Sequence, residues 1–239
     1  MQFTTLIRFK VKNNRVLIAK NLISESIPIV TPDEIGSKVL ALMEIFRISH
    51  LPVVVDKLFV GVISDKAIYD AENFEDKIDK IISPTALQPY VYFNQHIFEV
   101  ASMALNFGVS IVPVLSLDNT YLGSITRDDL ALKLSELFSS SEPGGIIVLE
   151  LLESDYSLSQ ISQIVEGNDA RILSLYVSKQ LGASKKMEVT LKVSAVDLSA
   201  IIQTFTRYDY QIKATYLDQS ENKSFFDDRY DLLMRYINT

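Results

Sequence analysis

A stretch of sequence that occurs twice constrains this chain more than its composition does, because an internal repeat fixes an architecture of two like units. Around Pro52 the chain reads Ser49-His50-Leu51-Pro52-Val53-Val54-Val55 and then Gly61-Val62-Ile63-Ser64. Around Pro113 it reads Ser110-Ile111-Val112-Pro113-Val114-Leu115 and then Gly123-Ser124-Ile125-Thr126. The prolines lie 61 residues apart and the glycines 62, so the second copy carries one more residue in its turn. The same offset pairs Val39 with Val100, Met43 with Ala104 and Phe46 with Phe107.

Ile35, Val39, Leu42, Met43 and Phe46 are spaced like one face of a helix. Thr31-Pro32-Asp33-Glu34 predicts its start: a Thr cap, Pro at the first helical position and Glu completing a capping box. The Pro-Val-Val and Gly-Val-Ile runs are short, β-branched and separated by turn-forming residues, Asp56-Lys57 in one copy and Asp118-Asn119 in the other, which predicts a hairpin. A second helix follows each hairpin. Each unit therefore reads strand, helix, strand, strand, helix.

An hPhh strand followed about ten residues later by Gly-h-h-Ser/Thr resembles the CBS domain, and two such units in tandem resemble a Bateman module. The resemblance spans residues 19–137, with repeat 1 at about 19–71 and repeat 2 at about 81–137. It implies an α/β (α+β) fold and a ligand site at Gly-h-x-Thr/Ser-x-x-Asp. A hydroxyl and a carboxylate one helical turn apart share a face there, so the carboxylate can accept both ribose hydroxyls while the helix N-terminus meets the phosphate. Repeat 2 carries the whole pattern in Gly123, Thr126 and Asp129, with Arg127 beside them for the phosphate. Repeat 1 has Gly61 and Ser64 but Ala67 in place of the Asp, so one nucleotide site is expected rather than two. The resemblance also places a basic residue of the partner repeat at the phosphate, and His50 holds that position where repeat 2 has Ile111. The implied ligand is AMP, ADP, ATP or S-adenosylmethionine. Structural roles compete with these: Thr126 can cap its helix, Asp129 can complement the helix dipole, His50 can be a hydrogen-bonded structural residue, and Tyr90 and Tyr92 can pack rather than stack on a base.

A segment rich in small and turn-forming residues, 139–145, marks a boundary. Beyond it, residues 146–152 read as a buried strand, and Ser157 opens a helix with Leu158, Ile161, Ile164 and Val165 inward. Residues 172–177 form the next strand. Met187, Val189, Leu191 and Val193 alternate with polar residues, as in a sheet with one wet face. A helix at 197–208 buries Leu198, Ile201, Ile202 and Phe205, and a strand follows at 210–217. The order βαββαβ is ferredoxin-like and, after a CBS pair, resembles an ACT domain covering 146–239. The loop 153–158 lacks the glycine common in amino-acid-binding ACT domains, which favours a dimerisation module over a second sensor. Phe226, Tyr230, Leu233 and Ile237 predict a terminal helix.

Composition closes off other classes. With 23 Lys+Arg against 30 Asp+Glu, the formal charge of −7 has the wrong sign for general nucleic-acid binding. Zero Cys excludes disulfides, thiolate catalysis and Cys-ligated metals, and two His 46 residues apart make a His-rich metal site improbable. No apolar run reaches the ~18 residues a membrane span needs. Residues 1–15, with Arg8, Lys10, Lys12 and Arg15, resemble no secretory signal, and a native start near Val16 is expected. P-loop, Gly-x-Gly-x-x-Gly and Gly-x-Ser-x-Gly patterns are all absent, so catalysis is not expected. The expectation is a cytoplasmic, homodimeric regulatory protein that senses an adenosyl ligand and acts on an unidentified partner protein. The alternatives are a dimerisation scaffold with a vestigial nucleotide site, or an amino-acid sensor acting through the ACT-like half.

Overall fold

A computed structural model of the chain describes residues 17–24, 26–82, 88–138, 142–179 and 186–217. Two compact units divide it, Met1–Lys133 and Leu134–Thr239.

In the first unit the repeat takes the same form twice. Repeat 1 holds α1 (Gly36–Phe46), the hairpin β1 (His50–Val55) and β2 (Leu58–Ser64), and α2 (Asp65–Tyr69), with the short helix α3 (Ile78–Ile81) beyond it. Repeat 2 holds β3 (Val91–Tyr92), α4 (Ile97–Phe107), the hairpin β4 (Ile111–Leu115) and β5 (Tyr121–Thr126), and α5 (Arg127–Leu137). The hairpin registers match: Val53 faces Gly61 and Val114 faces Gly123, and each register shifts immediately afterwards. The β1–β2 turn has Asp56 and Lys57 both at positive φ, which matches the right-handed twist of the strands. The second turn is the longer, and Asn119 alone in it is left-handed.

Cores form where the offset paired them. Val39 and Val100 are wholly buried, and Met43 and Ala104 nearly so, whereas Phe46 is exposed. The first strand of repeat 1 reduces to a single parallel bridge between Val30 and Val53. The first helix begins at Gly36, later than its capping sequence predicts. Glu34 does reach back to the Thr31 N–H (3.3 Å), but the Glu34 N–H donates to the Thr31 carbonyl (3.1 Å), so the pair closes a turn ahead of the helix rather than a capping box. Ile35 bridges Lys77, and the Gly36 and Ser37 N–H groups donate to the carbonyls of Asp76 and Phe74, so a neighbouring turn takes over the cap's task.

That pairing is one half of an exchange. The lead-in residues of repeat 1, ahead of α1, pair with repeat 2: Ala19 N–H donates to Gln95 O, Lys20 N–H to Phe93 O, and Ile97 N–H to Leu17 O. Residues ahead of repeat 2 pair with repeat 1, as at Ile78 N–H to Glu34 O. Each lead-in segment thus serves the other repeat, and Ala19 and Ile78 are both wholly buried.

In the second unit, β6 (Gly145–Leu152), α6 (Leu158–Glu166), β7 (Ile172–Lys179), β8 (Lys186–Val193), α7 (Ser199–Arg207) and β9 (Gln211–Leu217) follow in chain order. The sheet order β7-β8-β6-β9, with β8 antiparallel to β6 and β7 and β6 antiparallel to β9, is the ferredoxin-like arrangement. One face carries Ile147, Leu149, Met187, Val189, Leu191 and Val193 into a core closed by Ile161, Val165, Ile201 and Phe205. Ser157 caps α6 through the Gln160 N–H, but Leu158 lies in the first turn and is exposed rather than inward. Gln160 turns its side chain to accept from the Tyr210 hydroxyl (2.8 Å). The predicted terminal helix at 225–237 and the extension 1–15 lie outside the described residues. Among the described residues no helix is long and apolar enough to cross a membrane.

Candidate functional site

The two hairpins end side by side, and this sets the chemistry at their meeting point. Ser49 and Ser110 occupy equivalent places before β1 and β4; their carbonyls accept the first N–H groups of α2 and α5, from Asp65 (3.0 Å) and Arg127 (2.9 Å). The serines also meet each other, the Ser49 N–H donating to Ser110 Oγ at 3.1 Å. Above this seam lies an open cleft of about 1000 Å³ between α1, α2 and the start of α5. Ser49, Ser110 and Thr126 bring hydroxyls to its wall, Arg47 and Arg127 bring cations, and Glu44, Asp65 and Asp128 bring carboxylates. Both repeats contribute, since the first supplies α1 and α2 and the second supplies Ser110 and the Thr126–Asp128 turn.

Thr126 ends β5 and opens α5. Its hydroxyl accepts the Asp129 N–H (3.0 Å) and donates to Asp129 Oδ2 (2.7 Å), which is the geometry of a capping residue. Thr126 lines the cleft, whereas Asp129 sits one turn further along, tied to it. Replacing Thr126 with Ala removes the cap and should lower the stability of this unit by about 1 kcal/mol, read as a shifted urea midpoint; Ser in its place should restore it.

The Arg127 guanidinium, at the wall of the cleft, donates to the carbonyls of Val109 (2.8 Å) and Gly108 (3.2 Å). A cation there satisfies the open end of α4 and complements its dipole. His50 starts β1, half-buried, with Nδ1 within 3.0 Å of Ser49 Oγ, 3.2 Å of Ser110 Oγ and 3.3 Å of the Ser110 N. Burial lowers its pKa, Asp65 works against that shift, and Arg127 adds to it. Of the four sequence-predicted residues, Thr126 and Arg127 line the cleft, His50 lies at the seam and Asp129 is tied to Thr126, each with a partner inside the fold. Tyr90 and Tyr92 pack edge to face at 5.6 Å, and Tyr90 meets Phe59 in the same way at 6.0 Å.

Sequence reasoning missed the seam between Ser49 and Ser110, although their 61-residue separation was the available signal. It also missed His96, whose ring accepts the Phe98 N–H at the start of α4 while Glu99 completes the capping box. Among the described residues, no group of three His, Asp or Glu side chains is placed to hold a metal ion.

Comparison with solved structures finds a CBS domain pair/ACT domain protein from Thermotoga maritima, 17% identical, with a TM-score of 0.44 over 50% of this chain and 97% of that one. The CBS domains of a transcriptional regulator from Streptococcus pneumoniae are 24% identical, with a TM-score of 0.43 over 49% of this chain and 98% of theirs. CBSX2, solved in complex with AMP, is 16% identical, with a TM-score of 0.44 over 50% of this chain and 97% of its own. The family model of the CBS domain matches residues 19–73, from the lead-in before α1 to the residues after α2. The chain carries a CBS domain over those residues.

Proposed function

We propose that the protein is a non-catalytic regulatory sensor that binds an adenine nucleotide or adenosyl compound between two CBS repeats. The ACT-like second unit would serve as the homodimerisation module that passes the signal to a partner protein. The observation that carries this reading is the cleft of about 1000 Å³, built by both repeats and lined by the hydroxyls of Ser37, Ser49, Tyr69, Ser110 and Thr126, two guanidiniums and the opening turn of α5. Its size falls at the upper end of the ~300–1,000 Å³ usual for ligand sites. AMP, ADP, ATP and S-adenosylmethionine share the ribose that Asp129 would hold. To do so, Asp129 exchanges the Thr126 hydroxyl for the two ribose hydroxyls, an exchange of one hydrogen-bonded partner for another rather than the burial of a bare charge. Ala67, at the equivalent place in repeat 1, cannot do this, which supports a single site.

A second reading has its own observation. Thr126, Asp129, Arg127 and His50 all have partners within the fold, as a dimerisation scaffold with a vestigial site would. Thermal shift with the four ligands, on the wild type and on Asp129→Ala, separates the two. The sensor reading expects a ligand-dependent rise in Tm for the wild type. It also expects a loss of affinity of about tenfold to several hundredfold in the variant, the range for removing a hydrogen bond to a charged group. A rise that survives Asp129→Ala unaltered removes Asp129 from the site, and no response to any of the four at millimolar concentration selects the scaffold. A response to amino acids alone transfers the sensing to the second unit.

A further inference from the structure

The seam beneath the cleft is asymmetric, and the asymmetry centres on one titratable ring. Ser49 and Ser110 are equivalent, and each brings a backbone N–H to the other repeat. The next residue is His50 on one side and Ile111 on the other. Ile111 offers no acceptor, so the Ser49 N–H goes to the Ser110 hydroxyl (3.1 Å). The Ser110 N–H goes to His50 Nδ1 (3.3 Å). A backbone N–H can only donate, so Nδ1 must be the unprotonated nitrogen and the ring's proton sits on Nε2. Both serine hydroxyls also lie within 3.2 Å of Nδ1, so it is the acceptor on which the seam converges.

We infer that His50 is a proton-operated latch between the repeats: neutral, it closes the seam by accepting the Ser110 N–H; protonated, it presents a second N–H to that donor and releases it. The charged groups facing the ring are Asp65 from α2 and Arg127 from α5, while β4 brings only the uncharged Ser110 and Ile111. On protonation Arg127 repels the ring and Asp65 attracts it, so the imidazolium turns from repeat 2 toward the carboxylate of its own repeat. Ser49 and Ser110 line the cleft, so release of the seam alters the cleft wall without any ligand.

Burial lowers the pKa of His50 in the folded chain, so the stability this contact gives is complete above the ordinary value of 6.5 and is lost as the pH falls through the lower folded value. With only two histidines, the ring C2 protons give two resonances, assigned by His96→Gln. Between pH 7.5 and 5 the expected results are a His50 midpoint below 6.5, and Ser110 and Ser49 amide cross-peaks that move with that same midpoint. His50→Asn sets an uncharged acceptor near the place of Nδ1; it should keep the neutral-pH positions of those cross-peaks and abolish their movement. A His50 midpoint at or above 6.5, serine amides that do not follow the ring, or an unchanged pH response in His50→Asn would each overturn the latch. These readouts use no ligand, so their failure is distinct from failure of the sensor reading.

Discussion

Replacing Phe205 with Ala should remove about 3–5 kcal/mol from the stability of the second unit, the usual cost of truncating a fully buried aromatic. Phe205 is wholly buried on α7, faces the sheet formed by β6 and β8, and meets Tyr210 edge to face at 5.4 Å. The side chain is lost, and so is the surface against which Tyr210 is held, so the site cannot collapse without moving the start of β9. The chain has no Trp, which lets one introduced indole report on each unit. Tyr208→Trp reads the second unit and Tyr69→Trp the first, both at exposed positions. In urea the Phe205→Ala change should lower the Tyr208→Trp transition by the full amount and leave the Tyr69→Trp transition within about 0.5 kcal/mol, as expected for separate cores. A loss below about 1 kcal/mol at Tyr208→Trp would mean that α7 does not close this core.

How much of this could be read from the sequence depends on the range of the forces involved. Local pattern served well where it was also the tertiary pattern. Strict alternation through Met187, Val189, Leu191 and Val193 put those residues on the buried face of β8, and the paired Val39 and Val100 are the cores of their repeats. It failed where a non-local partner substituted for a local one. Glu34 reaches the Thr31 N–H without the reciprocal Thr31 hydroxyl bond of a capping box, the N–H groups that start α1 are taken by the carbonyls of Phe74 and Asp76, and the helix begins at Gly36. The exchange of lead-in segments, which buries Ala19 against repeat 2 and Ile78 against repeat 1, has no periodicity to betray it. At the candidate site the positions of Thr126 and Arg127 on the cleft wall were legible because they follow the repeat. The partners of the candidate residues were not: the Arg127 guanidinium bonds to the end of α4, and the His50 ring bonds across the seam, contacts 18 to 60 positions away.

Gly123 shows what such hidden partners do, and it carries the second large effect. In sequence it is the glycine of the Gly-h-x-Thr/Ser-x-x-Asp pattern expected of a ligand site. In the folded chain it is the surface on which Ile23 sits, since a Cβ at Gly123 would lie 2.3 Å from Ile23 Cγ2. Ile23 cannot withdraw easily, because the adjoining Ser24 N–H donates to Ser124 O (2.9 Å). Gly123 also has φ at +144°, a conformation that side-chain-bearing residues rarely adopt. Gly123→Ala should therefore cost the first unit a backbone term of about 1–3 kcal/mol and an overpacking term of about 1–3 kcal/mol, together roughly 2–6 kcal/mol. Ile23→Ala alone costs the packing of one aliphatic side chain. In the double variant the overpacking term vanishes while the backbone term stays, so the two changes should couple favourably by about 1–3 kcal/mol. Urea unfolding of the four chains, read at Tyr69→Trp, gives this coupling directly. Strict additivity would place the whole cost in the backbone and leave Gly123 free on its open side, where a ligand could approach. A favourable coupling would mean that Ile23 occupies that side, and that a ligand meeting the backbone at Gly123 must first displace the lead-in segment.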